Sequence, residues 1–278
     1  MRRRTSTLPL SSNMKVNEHL ALSTENILLV PYSAYHVPTY HAWMQDPDLQ
    51  AATASEPLTL PEEYDMQRSW RLDHDKLTFI ICLPLDNPNH DGQSLSQSLT
   101  GLDNQPGSMI GDINLFLFPF EPEEADDDPT TDDGTSSQTD EVVGEIELMI
   151  ARRDLHRKGY GRAALLTFLA YIFSTWPAIF SEYLQAAAMK ATTDSMSTLL
   201  KGLRYLRVKI QESNVGSIAL FENVGFVRLG EGANYFGEVE LRLSLDEAYL
   251  KRFRQTTYTT LLYAENEDGN GSGDCGEL

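Results

Sequence analysis

One stretch of the chain decides the fold: Val142–Thr175, which reads VVGEIELMIARRDLHRKGYGRAALLTFLAYIFST. Its apolar and β-branched start, Val142–Ile150, predicts a strand. A polar turn follows, and Gly159-Tyr160-Gly161 opens a long apolar helix. The first N–H groups of a helix have no internal partner and the helix dipole is positive there, so such a turn can bind an anion. On spacing alone the pattern is equally typical of a turn that only caps a helix.

A second stretch, Asn214–Phe226, reads NVGSIALFENVGF and follows a predicted strand over residues 206–211. Together the two stretches resemble the Gcn5-related N-acetyltransferase (GNAT) superfamily. There, [Q/R]-x-x-G-x-[G/A] follows a strand, and N-x-x-(small)-x-x-L-[Y/F]-x-x-x-G-F comes later. The closer likeness is to N-acetyltransferase 9-like proteins, through the stretches VPYSAYHVPTYHAWM, TASEPLTLPEEYDMQRSW and GDINLFL. It covers roughly residues 27–243.

The resemblance implies an α/β fold, the GNAT acyl-CoA N-acyltransferase fold. Its mixed, mostly antiparallel sheet would have about seven strands, with helices on both faces. It implies acetyl-coenzyme A as co-substrate and no metal. The strand that ends at Ile150 would splay from its neighbour and free backbone groups for the pantetheine arm. The residues expected to bind acetyl-coenzyme A are Met149, Ile150, Ala151, Arg157, Lys158, Gly159, Tyr160, Gly161, Arg162, Asn214 and Phe221.

Two carboxylates on the central strand are the candidates for a catalytic base. Glu145 and Glu147 share one face because strand side chains alternate. Glu147 is the first choice, since it lies nearer the splayed end, and burial would raise its pKa toward neutrality. Alternatively, both carboxylates face solvent or pair with a basic neighbour.

Three positions qualify the motif match. His156 occupies the place of the motif's opening Gln or Arg. Phe221 stands where many relatives carry a tyrosine that protonates the leaving thiolate, and Tyr235 or a bound water is the expected substitute. Asn214 either bonds the pantetheine or only caps the next helix.

Charge and cysteine usage further limit the classes of protein and of site that the sequence allows. Ten of the 41 acidic residues lie in 121–141, with no basic residue among them, so the formal charge of -19 reflects segments of disordered composition. That segment either attracts cationic amines or is a solvated insertion. Cys82 and Cys275 suggest neither a disulfide framework nor a metal site. No apolar run approaches the roughly 20 residues needed to span a bilayer, and the charge balance gives little support to nucleic-acid binding.

The chain is predicted to form one N-acetyltransferase domain, residues 14–255, between a disordered extension at 1–13 and a disordered tail at 264–278. Insertions are expected at 86–107, 121–141 and 178–203. The long helix should end near Trp176 because Pro177 cannot continue it. Thr59 is the expected N-cap of a helix over residues 61–72.

These patterns predict an acetyl-coenzyme A-dependent N-acetyltransferase. Its acceptor would be a primary amine, either an α-amino group or a lysine of a protein, that attacks directly in a ternary complex. Two alternatives are a non-catalytic acyl-coenzyme A-binding protein and a small-molecule amine acetyltransferase. A nucleotide-binding loop is a remote alternative, since no Lys-Ser/Thr pair follows Gly161. The expected location is intracellular, in the cytoplasm first and the nucleus second. The oligomeric state is left open.

Overall fold

The computed structural model describes residues 15–85, 98–99, 107–121, 141–186, 200–246, 250–251, 253 and 256–264. Most of the disorder predictions, including the whole of 1–13 and nearly all of 121–141 and 264–278, lie outside these residues.

The described strands form one sheet in the order β4-β10-β1-β2-β3-β5-β6-β7-β9-β8. The β6–β7 and β4–β10 pairs are parallel, and the other pairs are antiparallel. The strands are β1 Leu20–Ser23, β2 Leu28–Pro31, β3 Lys76–Cys82, β4 Ser98–Leu99, β5 Met109–Pro119, β6 Val142–Ile150, β7 Leu203–Gln211, β8 Val227–Arg228, β9 Glu238–Leu243 and β10 Thr259–Tyr263.

Five α-helices lie among the described residues: α1 Val37–Trp43, α2 Pro47–Thr53, α3 Leu60–Leu72, α4 Tyr160–Ala186 and α5 Val215–Val224. Thr59 and Glu62 form a capping box at the start of α3, as the sequence predicts for Thr59. Helix α5 ends at Gly225, whose φ of 111° is a left-handed conformation that glycine adopts readily.

Both faces of the sheet are covered. On one face, Ile113, Leu115 and Ile146 pack against α4 and α5 in the larger core. On the other, Val30, Ile80 and Met149 pack with residues of α1 and α3. The predicted α/β fold with helices on both faces is confirmed, with ten described strands instead of about seven.

Helix α4 does not end near Trp176, as the sequence predicted, but continues through Pro177 to Ala186. Proline costs one main-chain hydrogen bond there. Trp176 and Ile179 are both fully buried, so tertiary packing holds the helix across the proline. The first part of the predicted insertion, 178–186, is therefore helical, and 187–199 lies outside the described residues.

The continuous α4 also corrects the expectation about apolar length. Tyr160–Gln185 is long and apolar enough to cross a membrane, and 61% of its most apolar window is buried inside the protein. Burial of this kind is typical of a core helix that packs on a sheet.

Four elements were missed from the sequence: β1, β4, β10 and α2. Strand β4 lies within the segment 86–107, for which disorder was predicted, and pairs with β10. The pairings of β1 with β10 and of β4 with β10 join residues far apart in the chain, which a local pattern cannot reveal.

Candidate active site

Strands β6 and β7 run side by side only at their beginnings. Their Cα partners run from Val142↔Leu203 to Glu145↔Arg207, and no pairs follow. Beyond that point β6 stays paired with β5 up to Ile150, and β7 stays paired with β9 up to Gln211. The two strands therefore splay, as the resemblance implies.

The splay exposes one edge of β6. The Ala151 N–H donates to the Ile110 carbonyl at 2.8 Å, on the β5 side. Since successive strand residues point their backbone groups to opposite edges, Leu148 and Ile150 point theirs toward the splay. The backbone groups free for the pantetheine arm therefore do not include the N–H of Ala151, which is already bonded, or that of Met149, which faces Asp112 of β5.

His156 is held at the end of this open edge. Its Nε2 lies 2.7 Å from the Ile150 carbonyl oxygen, so the ring donates to it. The side chain at the motif's first position thus fixes the end of β6 to the following turn.

The turn before α4 has the backbone of an anion site. Arg157 has φ 58° and Gly159 has φ 91°, the left-handed region. Alternation of such residues with ordinary ones makes a concave arrangement of N–H groups. The Ala163 N–H donates to the Gly159 carbonyl at 2.9 Å, so the N–H groups of Tyr160, Gly161 and Arg162 have no acceptor in the helix.

Two cavities meet at the splay. The first, called the turn cavity, has a volume of about 540 Å³ and is lined by Met149, Ile150, Arg157, Gly159, Tyr160, Gly161 and Arg162, among others. The second, called the carboxylate cavity, has a volume of about 470 Å³ and is lined by Tyr40, Asp112, Asn114, Glu145, Glu147, Lys209, Phe221 and Glu238, among others. Asn214, Ser217 and Met149 line both.

Most of the predicted binding residues therefore lie around the turn cavity. Lys158 and Ala151 do not line it, and Phe221 lines the carboxylate cavity instead. Asn214 caps α5 by accepting from the Ser217 N–H at 3.1 Å, which agrees with the capping alternative. Because Asn214 also lines both cavities, its predicted role toward pantetheine stays a prediction.

Glu147 is exposed within the carboxylate cavity, whose walls remove part of its hydration. This desolvation, followed by the negative charges of Asp112 and Glu145, raises the pKa of Glu147 to about 7. No ion pair of Glu147 is recorded among the described residues. A carboxylate with that pKa can accept and release a proton at neutral pH.

Glu145 has a different environment, although it lies only two residues away. Its Oε2 accepts from Arg207 Nε at 2.6 Å and lies 3.4 Å from Lys209 Nζ. The side chain is mostly buried, and Arg207 also covers the Phe118 ring at 5.3 Å. Glu145 thus fits the alternative in which a carboxylate pairs with basic neighbours.

Asp112 was not predicted as a site residue, and the structure places it on the floor of the carboxylate cavity. It lies opposite Met149, and Asn114 lies opposite Glu147. Both are buried, and Asn114 Nδ2 donates to Asp112 Oδ2 at 2.7 Å. Burial raises the pKa of Asp112 to about 6, although hydrogen bonds from Asn114 and Tyr40 oppose that rise. An acid and an amide two residues apart in the apolar run MIGDINLFL were the available signal.

Tyr235 is removed as a candidate proton donor. It is 96% exposed, contacts Phe236 edge to face, and lines neither cavity. Phe221 is buried against Phe226, with ring centroids 5.0 Å apart. A phenylalanine here completes the core below α5 but supplies no proton.

Helix α2, which was missed, forms a wall shared by the two cavities through Ala52 and Thr53. It starts at Asp46, whose side chain accepts from the Asp48 N–H at 2.9 Å. Arg153 Nη2 reaches Asp46 and Asp48, each at 2.7 Å, and ties α2 to the turn after β6. Asp46-Pro47 is a recognisable helix start that could have indicated it.

No cluster of His, Cys, Asp and Glu suited to a metal ion occurs in the described part of the chain. This agrees with the sequence prediction but does not test it, because the remaining segments were not searched.

The chain is similar to known proteins. A family model described as the acetyltransferase (GNAT) domain matches residues 26–227. An N-acetyltransferase 9-like protein of Schizosaccharomyces pombe is 39% identical over 236 residues, which cover 83% of this chain and 98% of the relative. Human alpha/beta-tubulin-N-acetyltransferase 9 is 34% identical over 236 residues, covering 84% of this chain and 88% of the relative.

Among solved structures, RimL, a ribosomal L7/L12 alpha-N-protein acetyltransferase in complex with coenzyme A, superposes with a TM-score of 0.50 at 12% identity. The match covers 80% of this chain and 96% of that one, and at this identity it shows the fold alone. The family model and the sequence relatives show the family as well as the fold, since they cover most of the chain. The chain belongs to the GNAT acetyltransferases and is an N-acetyltransferase.

Proposed function

We propose that this enzyme transfers the acetyl group of acetyl-coenzyme A to a primary amine of a protein, and that the amino termini of α- and β-tubulin are the first acceptors to test. The carrying observation is Glu147, an unpaired carboxylate with a pKa of about 7 in a cavity that opens onto the splayed strands. The choice of tubulin rests on the names of the human, mouse and Drosophila relatives, which are 33–40% identical.

The residues around the turn cavity fit acetyl-coenzyme A. The N–H groups of Tyr160, Gly161 and Arg162 would hold the pyrophosphate, and Arg157 and Arg162 add positive charge. Gly159 leaves open space, since a Cβ there would have no atom within 4 Å. The open edge of β6 at Leu148 and Ile150 would bond the pantetheine arm. Acetyl-coenzyme A supplies an activated thioester carbonyl at the junction of the two cavities.

On the acceptor side, Glu147 would take a proton from the incoming ammonium group. A pKa raised to about 7 lets this carboxylate accept and release a proton near neutral pH. Glu145 is less suited to the task, because its Oε2 already accepts a hydrogen bond from Arg207 at 2.6 Å and lies 3.4 Å from Lys209 Nζ.

The leaving thiolate needs a proton donor other than Phe221. The described hydroxyls that line both cavities belong to Thr53 and Ser217. Thr53 Oγ1 already donates to the Leu49 carbonyl at 2.8 Å. Ser217 lies one helical turn before Phe221 on the same face of α5, and its hydroxyl would stabilise the leaving thiolate by donating a hydrogen bond to it.

A non-catalytic acyl-coenzyme A-binding protein is the alternative that Phe221 first suggested. The position of Glu147 favours turnover, because this carboxylate lines a cavity, has a pKa of about 7 and makes no ion pair among the described residues. A small-molecule acceptor draws its support from the acidic segment 121–141, nearly all of which lies outside the described residues.

The direct test incubates the purified chain with acetyl-coenzyme A and α/β-tubulin and measures acetylation of the tubulin amino termini by mass spectrometry. Glu147→Gln is the matched control, since it keeps the shape of the side chain. Spermidine serves as a small cationic amine for comparison. Acetylation of tubulin by wild type but not by Glu147→Gln supports the proposal. Acetylation of spermidine alone, or equal turnover by both proteins, contradicts it.

Isothermal titration with acetyl-coenzyme A tests the turn cavity separately. The double variant Gly159→Glu/Gly161→Glu places two carboxylates beside the N–H groups expected to hold the pyrophosphate, and binding should weaken at least about tenfold. Gly232→Glu is the control, because this residue is in the loop between β8 and β9, in open space outside the turn cavity. Unchanged binding in the double variant would remove the cofactor from this turn.

A further inference from the structure

The floor of the carboxylate cavity contains two buried oxygens that the fold does not use. Asp112 is 3% exposed and Asn114 is 2% exposed. Asn114 Nδ2 donates to Asp112 Oδ2 at 2.7 Å and Tyr40 also hydrogen-bonds the Asp112 carboxylate, yet Oδ1 of Asp112 and Oδ1 of Asn114 have no hydrogen-bond partner among the described residues. Both residues line the cavity.

Unpaired buried oxygens are costly and uncommon. Native proteins pair the large majority of their buried polar atoms, and each exception calls for an explanation. A carboxylate is the more demanding case because its charge is also desolvated. Two such oxygens on adjacent inward-facing positions of one strand indicate that a donor group arrives with a ligand.

The cations that surround the cavity are engaged elsewhere. Lys209 Nζ lies 3.4 Å from Glu145, and Lys76 Nζ lies 2.5 Å from Asp73. The other charged groups that line the cavity are the acids Glu147 and Glu238. The charge around Asp112 therefore favours a positive ligand.

The register sets the shape of the site. Asn114 lies directly opposite Glu147, and Asp112 lies diagonally from it. Residues opposite each other on paired strands have Cβ atoms about 5 Å apart, so the three side chains surround one small volume. Terminal carboxyl and amide groups rotate easily about χ2, which lets Oδ1 of Asp112 and of Asn114 turn toward a donor in the cavity.

We propose that Asp112, Asn114 and Glu147 form a binding site for a primary ammonium group, with one N–H donated to each side chain. The inference rests on the proposed function in naming that group as the acceptor. The N–H bond facing Glu147 breaks and its proton moves to the Glu147 carboxylate. The electron pair of the broken bond becomes the nitrogen lone pair on the side of Glu147. Inversion at nitrogen, with the two remaining N–H groups still directed to Asp112 and Asn114, turns this pair toward the thioester carbonyl. Because a quaternary ammonium has no N–H to donate, the site selects primary amines.

The test uses a simple ammonium probe, so it does not depend on knowing the natural acceptor. Propylammonium chloride and propyltrimethylammonium chloride are titrated into the full chain at equal ionic strength, and binding is followed calorimetrically. Wild type is expected to bind propylammonium at least about tenfold more tightly than the quaternary analogue. Asp112→Asn, which keeps the side-chain shape, and Asn114→Ala should each abolish that preference.

Glu240→Gln is the matched control, because Glu240 is an acid on β9 that pairs with Arg242 and does not line the cavity. It should bind the probe as wild type does. Absence of a preference in wild type, or a preference that survives in Asp112→Asn, overturns the inference. Binding that survives would come from another part of this acidic chain.

Measurements of turnover distinguish this inference from the proposed function. Asp112→Asn should raise the KM for a tubulin amino-terminal acceptor while leaving acetyl-coenzyme A binding unchanged. If tubulin is not acetylated but propylammonium binding depends on Asp112, the protein acceptor is wrong and the ammonium site stands.

Discussion

The two halves of strand β6 have the same local sequence character and opposite uses. In the first half, Glu145 lies where β6 pairs with β5 and β7, and Arg207 and Lys209 neutralise it. In the second half, β7 has moved away, and Glu147 faces a cavity with Asp112 as its charged neighbour. The comparison shows that Glu145 has basic partners where β6 and β7 pair, whereas Glu147, the proposed base, has no ion pair among the described residues where the two strands separate.

The largest effect should come from removing the unpaired carboxylate. Glu147→Gln keeps the side-chain shape but cannot take a proton, so kcat should fall by about 10²–10⁴-fold. The Kd for acetyl-coenzyme A should stay unchanged, because the turn cavity is untouched. Steady-state kinetics and calorimetry check the two parts, and a fall below threefold would exclude Glu147 as the base.

Removing the carboxylate of Glu145, which pairs with Arg207, should mainly lower the free energy of unfolding. Glu145→Gln leaves Arg207, a mostly buried guanidinium, without its carboxylate partner. We expect a loss of about 2–3 kcal/mol in the free energy of unfolding, less than for a fully buried pair. The kcat of the folded fraction should change by less than about tenfold. A variant as stable as wild type with abolished turnover would reverse the roles of the two glutamates.

Asp112, the buried acid beside Glu147, should lower the free energy of unfolding as pH rises. Burial raises the pKa of Asp112 from its usual 3.8 to about 6, so the folded state holds more protons than the unfolded state between these values. Stability contributed by this group is therefore lost as pH rises through that window.

Asp112→Asn removes this loss. Near pH 7 the variant should be more stable than wild type by about 2–3 kcal/mol, and near pH 3 the two should be alike. Urea denaturation at the two pH values measures the difference. A variant that is less stable near pH 7 would show that the Asp112 charge is stabilised in the fold.

The smallest effect should come from a change in side-chain packing around the first half of β6, where this strand pairs with β7. A Cβ added at Gly144 would lie 2.5 Å from Leu206 Cδ2 and 2.8 Å from Leu115 Cδ1. Leucine side-chain ends can move, so Gly144→Ala should cost about 1–2 kcal/mol without affecting the kcat of the folded enzyme. Thermal denaturation measures this, and an unchanged midpoint would mean that the core below β6 is looser than the structure shows.

The sequence predicts the parts of this fold that local patterns encode. Val142–Ile150 forms the strand over those residues, and Thr59 and Gly225 bound their helices as predicted. Helix α4 runs through Pro177 because Trp176 and Ile179 are buried, a tertiary effect that local rules cannot include.

The site residues also fall into those that a local sequence pattern predicts and those that depend on contacts between distant parts of the chain. The turn residues were predicted because their backbone chemistry is written in a contiguous motif. The difference between Glu145 and Glu147 depends on Arg207, 62 positions away in the chain, and on where β6 and β7 separate. The part played by Asp112 depends on the β5–β6 register, which no local pattern specifies.

The pH dependence of kcat/KM tests the central claim most directly. Glu147 must be ionised to take the acceptor's proton, so activity should fall about tenfold per pH unit below a pKa of about 7. In Asp112→Asn this limb should move to lower pH, because a negative charge beside Glu147 is removed. In Glu147→Gln it should disappear. A limb near pH 7 that persists unchanged in Glu147→Gln would show that another group is the base.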